Sequence, residues 1–132
     1  MHELAVAQGL IGEVLRVAAL HGASGVDMVV VRIGALAGVE PGLLERAFTV
    51  ARAGTLASRA ALEIEHGPLV VVCSSCGAET EARADKIVCG DCGDWKVRVV
   101  EGEEMLLVRV GLTGVGEPTP LEEETASPHL RV

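Results

Sequence analysis

The chain has 132 residues, 49% of them hydrophobic, and a formal charge of −8. That length suits one domain, or one small domain carrying a metal-stapled insertion. No basic stripe exists to neutralise phosphates, which argues against nucleic acid as a partner, and no apolar run approaches membrane-spanning length.

The first residues are Met1-His2-Glu3. Where the α-amine is free, a His in second place has its imidazole within chelate reach of that amine and of its own backbone amide. Three nitrogens then lie in one plane, with the amide of Glu3 or an outside group as the fourth. Planar nitrogen coordination suits Ni²⁺ or Cu²⁺ rather than Zn²⁺. The same residues also read as an accidental start, with Glu3 a favourable charge in a first helical turn. The initiator Met is expected to stay, because His is too large for its normal removal.

Leu4, Ala7, Ile11, Val14, Leu15 and Ala18 then recur at helical spacing, with Glu13 and Arg16 on the other side. Gly22 is expected to stop this helix in a glycine cap, with His21 a solvated residue suited to the helix end. Gly9 and Gly12 weaken the helix or let something pack close to it. Val26 to Ile33 is a nearly unbroken β-branched run, expected as a strand covered on both faces. Glu40-Pro41 starts a second helix with Pro at its first position; Leu44, Ala47, Phe48 and Ala51 form its buried face and Gly54 ends it. Ala61 to His66 alternates apolar and charged, as a strand toward a sheet edge does. If the two strands are parallel, the helix between them is a crossover. Phe48 and Trp95 are the only aromatics, so Val, Leu, Ile and Ala must build the core.

Leu69 to Val72 leads out into a cysteine ribbon, and Val97, Val99 and Val100 lead back. All four cysteines lie between them, as Cys73-x-x-Cys76 and Cys89-x-x-Cys92 separated by twelve residues. A two-residue gap lets both thiolates of a pair turn toward one point, and Gly77 and Gly93 follow where such a knuckle often needs positive φ. Two facing knuckles supply the four sulfurs of a closed tetrahedral zinc site. Iron in a rubredoxin-like site would use the same ligands. A disulfide framework fits poorly, with one cysteine-rich patch and no signal peptide. A thioredoxin-like redox role uses a single Cys-x-x-Cys opening a helix. With four thiolates and Zn²⁺ bound the charge moves to about −10. Met105 to Val110 is the third strand of the main sheet. The ribbon is therefore an insertion between two strands, most simply antiparallel neighbours. From Thr113 onward Gly, Pro and Glu describe a solvated acidic tail, in which His129 is read as inert.

Met1-His2-Glu3-Leu4, Ile33-Gly34-Ala35-Leu36 with Val39-Glu40, and the Cys73-x-x-Cys76 and Cys89-x-x-Cys92-Gly93 pairs together resemble the HypA/HybF family of hydrogenase nickel-insertion proteins. The resemblance covers about residues 1 to 112. It implies an α/β fold of two helices on a small three-stranded mixed sheet, with an inserted Cys₄ zinc-ribbon domain. The implied parts are a discontinuous nickel-binding domain at 1–69 and 98–112, a zinc domain at 70–97, and a flexible acidic tail at 113–132. It further implies that His2 is the essential nickel ligand, assisted by the amine of Met1, nearby main-chain amides and Glu3, and that Cys73, Cys76, Cys89 and Cys92 hold structural zinc. Some relatives carry a histidine in the zinc domain; this chain has none between Cys73 and Trp95. Its ribbon also lacks the usual bulky aromatic neighbours of the cysteines.

The expected role is that of a cytoplasmic nickel metallochaperone, not an enzyme. Ni²⁺ is its transient cargo and Zn²⁺ its structural ion. The implied partners are a HypB-type GTPase and the precursor of a [NiFe]-hydrogenase large subunit, and a urease client is also possible for such a family. No Gly-x-Ser-x-Gly and no phosphate loop is present, and His66 with Glu63 and Glu65 reads as a wet strand edge rather than a catalytic group. The rival from another class is a zinc-ribbon interaction or nucleic-acid-binding module, which leaves Met1-His2-Glu3 unused.

Overall fold

A computed structural model describes residues 2–115 and, as backbone, 130–131. Helix α1 is Glu3–Leu20, strand β1 Gly25–Gly34, helix α2 Pro41–Ala51 and strand β2 Ala61–Gly67. Strands β3 (Val70–Cys73), β4 (Glu79–Glu81), β5 (Val97–Glu101), β6 (Met105–Thr113) and β7 (Leu130–Arg131) follow. Two sheets result, in the orders β2-β1-β6-β7 and β4-β3-β5. No helix among the described residues is long and apolar enough to cross a membrane. The chain divides into two compact units, one of 1–31, 39–65 and 106–132, the other of 32–38 and 66–105.

In the first unit α1 and α2 pack on each other. The buried stripe of α1 is Glu3, Ala7, Leu10, Ile11, Val14, Val17 and Ala18. The expected face named Leu4 and Leu15 instead of Leu10 and Val17, yet Leu4 is 39% exposed and Leu15 half-buried. The reason lies at the helix start. Glu3 is drawn inward, and its neighbour Leu4, about 100° further around the helix, is turned out. Gly9 and Gly12 have no neighbour within reach of an added Cβ, so nothing among the described residues packs closely there. After α1, Gly22 adopts φ 64° and Ala23 donates back to the Ala18 carbonyl at 2.9 Å, which satisfies a carbonyl the helix leaves open. In α2, Glu40 is the N-cap and its side chain accepts the Leu43 N–H at 2.6 Å. Leu44, Ala47 and Phe48 are buried; Ala51 is only half so.

Val29, Val30 and Val31 are all fully buried. Three consecutive buried residues on a strand, where side chains alternate, mean that β1 is covered on both faces. The sheet is mixed. Ser24 donates to Thr113 and Gly34 to Glu104, so β1 and β6 run antiparallel. Near β2, Val26 donates to Leu56 while Gly67 lies against Arg32, the same order in both segments, which is parallel. β2 is an edge strand as expected. However, β2 and β6, which flank the ribbon, are not neighbours, because β1 lies between them. The crossover through α2 sets β2 on one side of β1 and leaves the other side to β6. The outgoing and returning segments of the ribbon meet instead through β3 and β5, which pair antiparallel from Cys73↔Val97 to Val70↔Glu101 with a register shift between Val70 and Val71.

The sheet has a fourth strand beyond the three expected. β6 extends through Thr113, and β7 pairs with it antiparallel at Leu106↔Arg131 and Leu107↔Leu130. A two-residue strand has no periodicity to read. His129 and the acidic run at 122–124 lie outside the described residues.

In the second unit, Leu69, Val71, Cys73, Cys89 and Met105 are buried. β4 pairs with β3 at Val70↔Glu81 through Val72↔Glu79. Gly34 is required by close backbone approach: a Cβ there would lie 2.3 Å from the Gly102 carbonyl oxygen.

Candidate metal centre

The two Cys-x-x-Cys segments fold into the same knuckle. In the first, the amides of Ser75 and Cys76 point at Cys73 Sγ (3.3 and 3.4 Å), and the Gly77 amide donates to the Cys73 carbonyl at 3.0 Å. In the second, the amides of Asp91 and Cys92 point at Cys89 Sγ (3.3 and 3.5 Å), and Gly93 donates to the Cys89 carbonyl at 3.0 Å. Both glycines sit at φ 77°, the left-handed conformation that costs a residue with a Cβ but not glycine. The knuckles face each other. Cys73 Sγ lies 3.6 Å from Cys92 Sγ and Cys76 Sγ 3.6 Å from Cys89 Sγ, and all four sulfurs are within 4.8 Å of one another. A tetrahedron with metal–sulfur bonds of ~2.3 Å has sulfurs roughly 3.8 Å apart, so the geometry fits one four-coordinate ion. The cysteines form no disulfide.

The local field separates inner from outer sulfurs. Cys73 and Cys89 are buried, Cys76 and Cys92 exposed. Amide donation, led by the N–H of Cys92 and then of Asp91, holds the Cys89 thiol down to about 6; the N–H of Cys76 leads the lowering at Cys73. At Cys92 the Asp94 amide pulls the thiol down, but its contact with Cys73 and then burial outweigh it and push the thiol up to about 12. Cys76 is raised for similar reasons, the Ala78 amide opposing and Cys89 raising. Two groups that ionise readily beside two that do not is what crowded thiols show when amides favour one thiolate per knuckle. A cation is what allows all four to ionise together.

The amino-terminal candidates lie in the first unit. Met1 is outside the described residues. His2 is the N-cap of α1, gives its side chain no capping role, and leaves that side chain 58% exposed. Its carbonyl accepts the Val6 N–H at 2.9 Å. Glu3 behaves differently. Its side chain is 7% exposed, 3.9 Å from His2 Nε2, and accepts the Glu40 backbone N–H at 3.3 Å. That donor, aided by the nearby His2, holds the Glu3 carboxyl below its usual value against the effect of burial. Glu3 thus ties the start of α1 to the N-cap of α2. Val39-Glu40 stood among the resembling motifs, but nothing in its residue types announced this backbone contact.

Comparison with known proteins decides the family. A family model described as "HypA: Hydrogenase/urease nickel incorporation, metallochaperone, hypA" matches residues 1–112. The chain belongs to the HypA family. A hydrogenase maturation factor HypA of Nitrosospira multiformis is 48% identical over 112 residues, covering 85% of this chain and 97% of that one. The HypA of Aquifex aeolicus is 38% identical over 107 residues, covering 81% and 93%. The solution structure of the Ni metallochaperone HypA from Helicobacter pylori is similar at a TM-score of 0.66 and 29% identity, covering 86% of this chain and 98% of that one.

Within this HypA-family chain the four cysteines converge on one point, and His2 and Glu3 lie side by side at the start of α1. The other two histidines among the described residues serve neither cluster. His21 is half-buried, with Nδ1 3.0 Å from the Val17 carbonyl oxygen, and His66 is exposed at the edge strand. Sequence reasoning passed over Ser75, Asp94 and Thr80. Asp94 accepts from the Ser75 hydroxyl and, at 3.0 Å, from the Lys96 amide; the hydroxyl leads the causes that hold its carboxyl low. Thr80 Oγ1 accepts the Gly90 N–H at 2.8 Å. The one available hint was the repeated Cys-Gly-Asp of residues 89–94.

Proposed function

We propose that this chain binds Ni²⁺ at its amino terminus and delivers it to the precursor of a [NiFe]-hydrogenase large subunit. The nitrogen donors are the amine of Met1, the amide and imidazole of His2, and the amide of Glu3 or a group from the partner. The observation that supports this reading best is the exposure of His2 at the N-cap of α1, a donor ahead of the helix ladder that nothing else employs as a cap. The carboxylate of Glu3 is committed to the Glu40 amide, so its part is to fix the residues beside His2 rather than to bind the cargo. Planar nitrogen donors favour nickel and copper over zinc. A site open at its edge lets an incoming donor replace ligands one at a time, so transfer need not release hydrated metal.

Cys73, Cys76, Cys89 and Cys92 hold one Zn²⁺ in this reading, which acts as a closed structural cross-link and supplies folding free energy. The partners are a HypB-type GTPase and the hydrogenase precursor, with urease as a further client class, and the compartment is the cytoplasm, where thiols stay reduced. The test is nickel titration of the untagged protein against His2→Ala and a variant with residues added before Met1. Both should lose tight binding and its low-spin planar spectrum while keeping one zinc. A His2→Ala protein that loads and transfers nickel as the parent does would refute the proposal.

A further inference from the structure

Sulfur contacts are not all that joins the two knuckles. Ser75, inside the first, donates its hydroxyl to Asp94 Oδ2, just after the second. Asp94 Oδ1 accepts the Lys96 N–H at 3.0 Å, and the Asp94 carbonyl accepts the Cys89 N–H at 2.9 Å. The Lys96 carbonyl in turn accepts the Ser74 N–H at 2.8 Å. A circuit of hydrogen bonds therefore runs from the first knuckle through residues 94–96 to the first ligand of the second, and no step of it needs an ion. Each knuckle's amide–sulfur bonds stay within that knuckle, whereas Ser75–Asp94 crosses. Both oxygens of Asp94 are engaged, and it stands outside the four-ligand cluster, so it is not a fifth donor.

We propose that Asp94, acting through Ser75, is the positioning residue of the four-cysteine centre: in the loaded protein it holds the knuckles face to face, so that a sulfur that leaves the ion stays beside it. This rests on the reading that the four cysteines hold zinc. Exposed Cys76 and Cys92 are the sulfurs a competing ligand meets first. Once one lets go, the clamp keeps its knuckle in place to rebind before the second yields. Without the clamp the knuckles are joined only by the Ser74–Lys96 and Thr80–Gly90 bonds and the β3–β5 pairing, and release becomes faster. Partners of this kind outside the ligand set typically change metal affinity by ~10–100-fold.

The experiment follows zinc transfer from the loaded full-length chain to excess 4-(2-pyridylazo)resorcinol. Asp94→Ala and Ser75→Ala should each release zinc ~10-fold faster or more. The double variant should match the faster single, because both remove the same bond. Ser75→Thr, which keeps the hydroxyl, should stay near the parent rate; a merely structural role would not predict that rescue. Release from Ser75→Ala at the parent rate, or single effects that multiply in the double, would overturn the clamp. Should Asp94→Ala not fold, Ser75→Ala, which removes one hydroxyl from an exposed residue, decides alone. Cobalt loading separates the two readings. A parent without thiolate-to-cobalt absorption would overturn the four-cysteine centre along with the clamp, while a parent that binds cobalt and variants that release zinc as it does would overturn the clamp only.

Discussion

Consider stripping the resident ion from the folded protein with a strong chelator near neutral pH. The unit that contains the knuckles has seven residues at 32–38 and forty at 66–105. Its apolar burial is modest: Ile33, Leu69, Val71 and Met105 are the non-cysteine hydrophobics below a tenth exposed. Stability of about 0.05–0.15 kcal/mol per residue gives such a unit about 2–7 kcal/mol. Structural zinc contributes roughly 10–16 kcal/mol in small zinc peptides. The ion's share exceeds anything the apolar contacts can replace, so chelation should unfold this unit. The helices belong to the other unit and rest on their own core of Leu10, Val14, Leu44 and Phe48. Amide exchange at Val71 and Val72 should therefore accelerate to unprotected rates while helical circular dichroism is largely kept. Emission from Trp95, the sole Trp, should report the same unit. Protection retained at Val71 after complete metal loss would refute the reasoning, as would helix signal lost in step with Trp95.

Two further outcomes follow from particular contacts. The Glu3 carboxyl is held low in the folded state by the Glu40 amide, so its stabilisation is present above the ordinary carboxylate value and is lost as pH falls through the lowered one. Glu3→Gln should flatten this part of the acid limb of the stability–pH curve; an unchanged acid limb in urea titrations at several pH values would count against the contact. Gly34→Ala places a Cβ against the Gly102 carbonyl oxygen, a backbone atom with no rotamer to escape into. It should cost at least about 1–3 kcal/mol and disturb the Gly34–Glu104 and Leu36–Gly102 hydrogen bonds. Chemical denaturation within error of the parent would show that the approach is looser.

Much of this was legible from local pattern. The β-branched run of β1, Pro41 at the start of α2 and the spacing of the four cysteines each carry a physical requirement that neighbouring residues express. What escaped was set by partners distant in sequence. The burial of Glu3 depends on an amide 37 positions away, and it rotates the face that α1 presents, exchanging Leu4 and Leu15 for Leu10 and Val17. β4 is Glu79-Thr80-Glu81, too polar to look like a strand, and exists because its backbone completes the edge of β3. The Ser75–Asp94 bond spans 19 positions and leaves no periodicity behind.

β7 determines where the protein can be handled. Its two residues pair with β6 at Leu106 and Leu107, so a bulky group attached next to them would work against that short pairing. The hairpin tip at Arg83–Lys86, with its exposed Arg83–Asp85 ion pair, is the better site for an attachment.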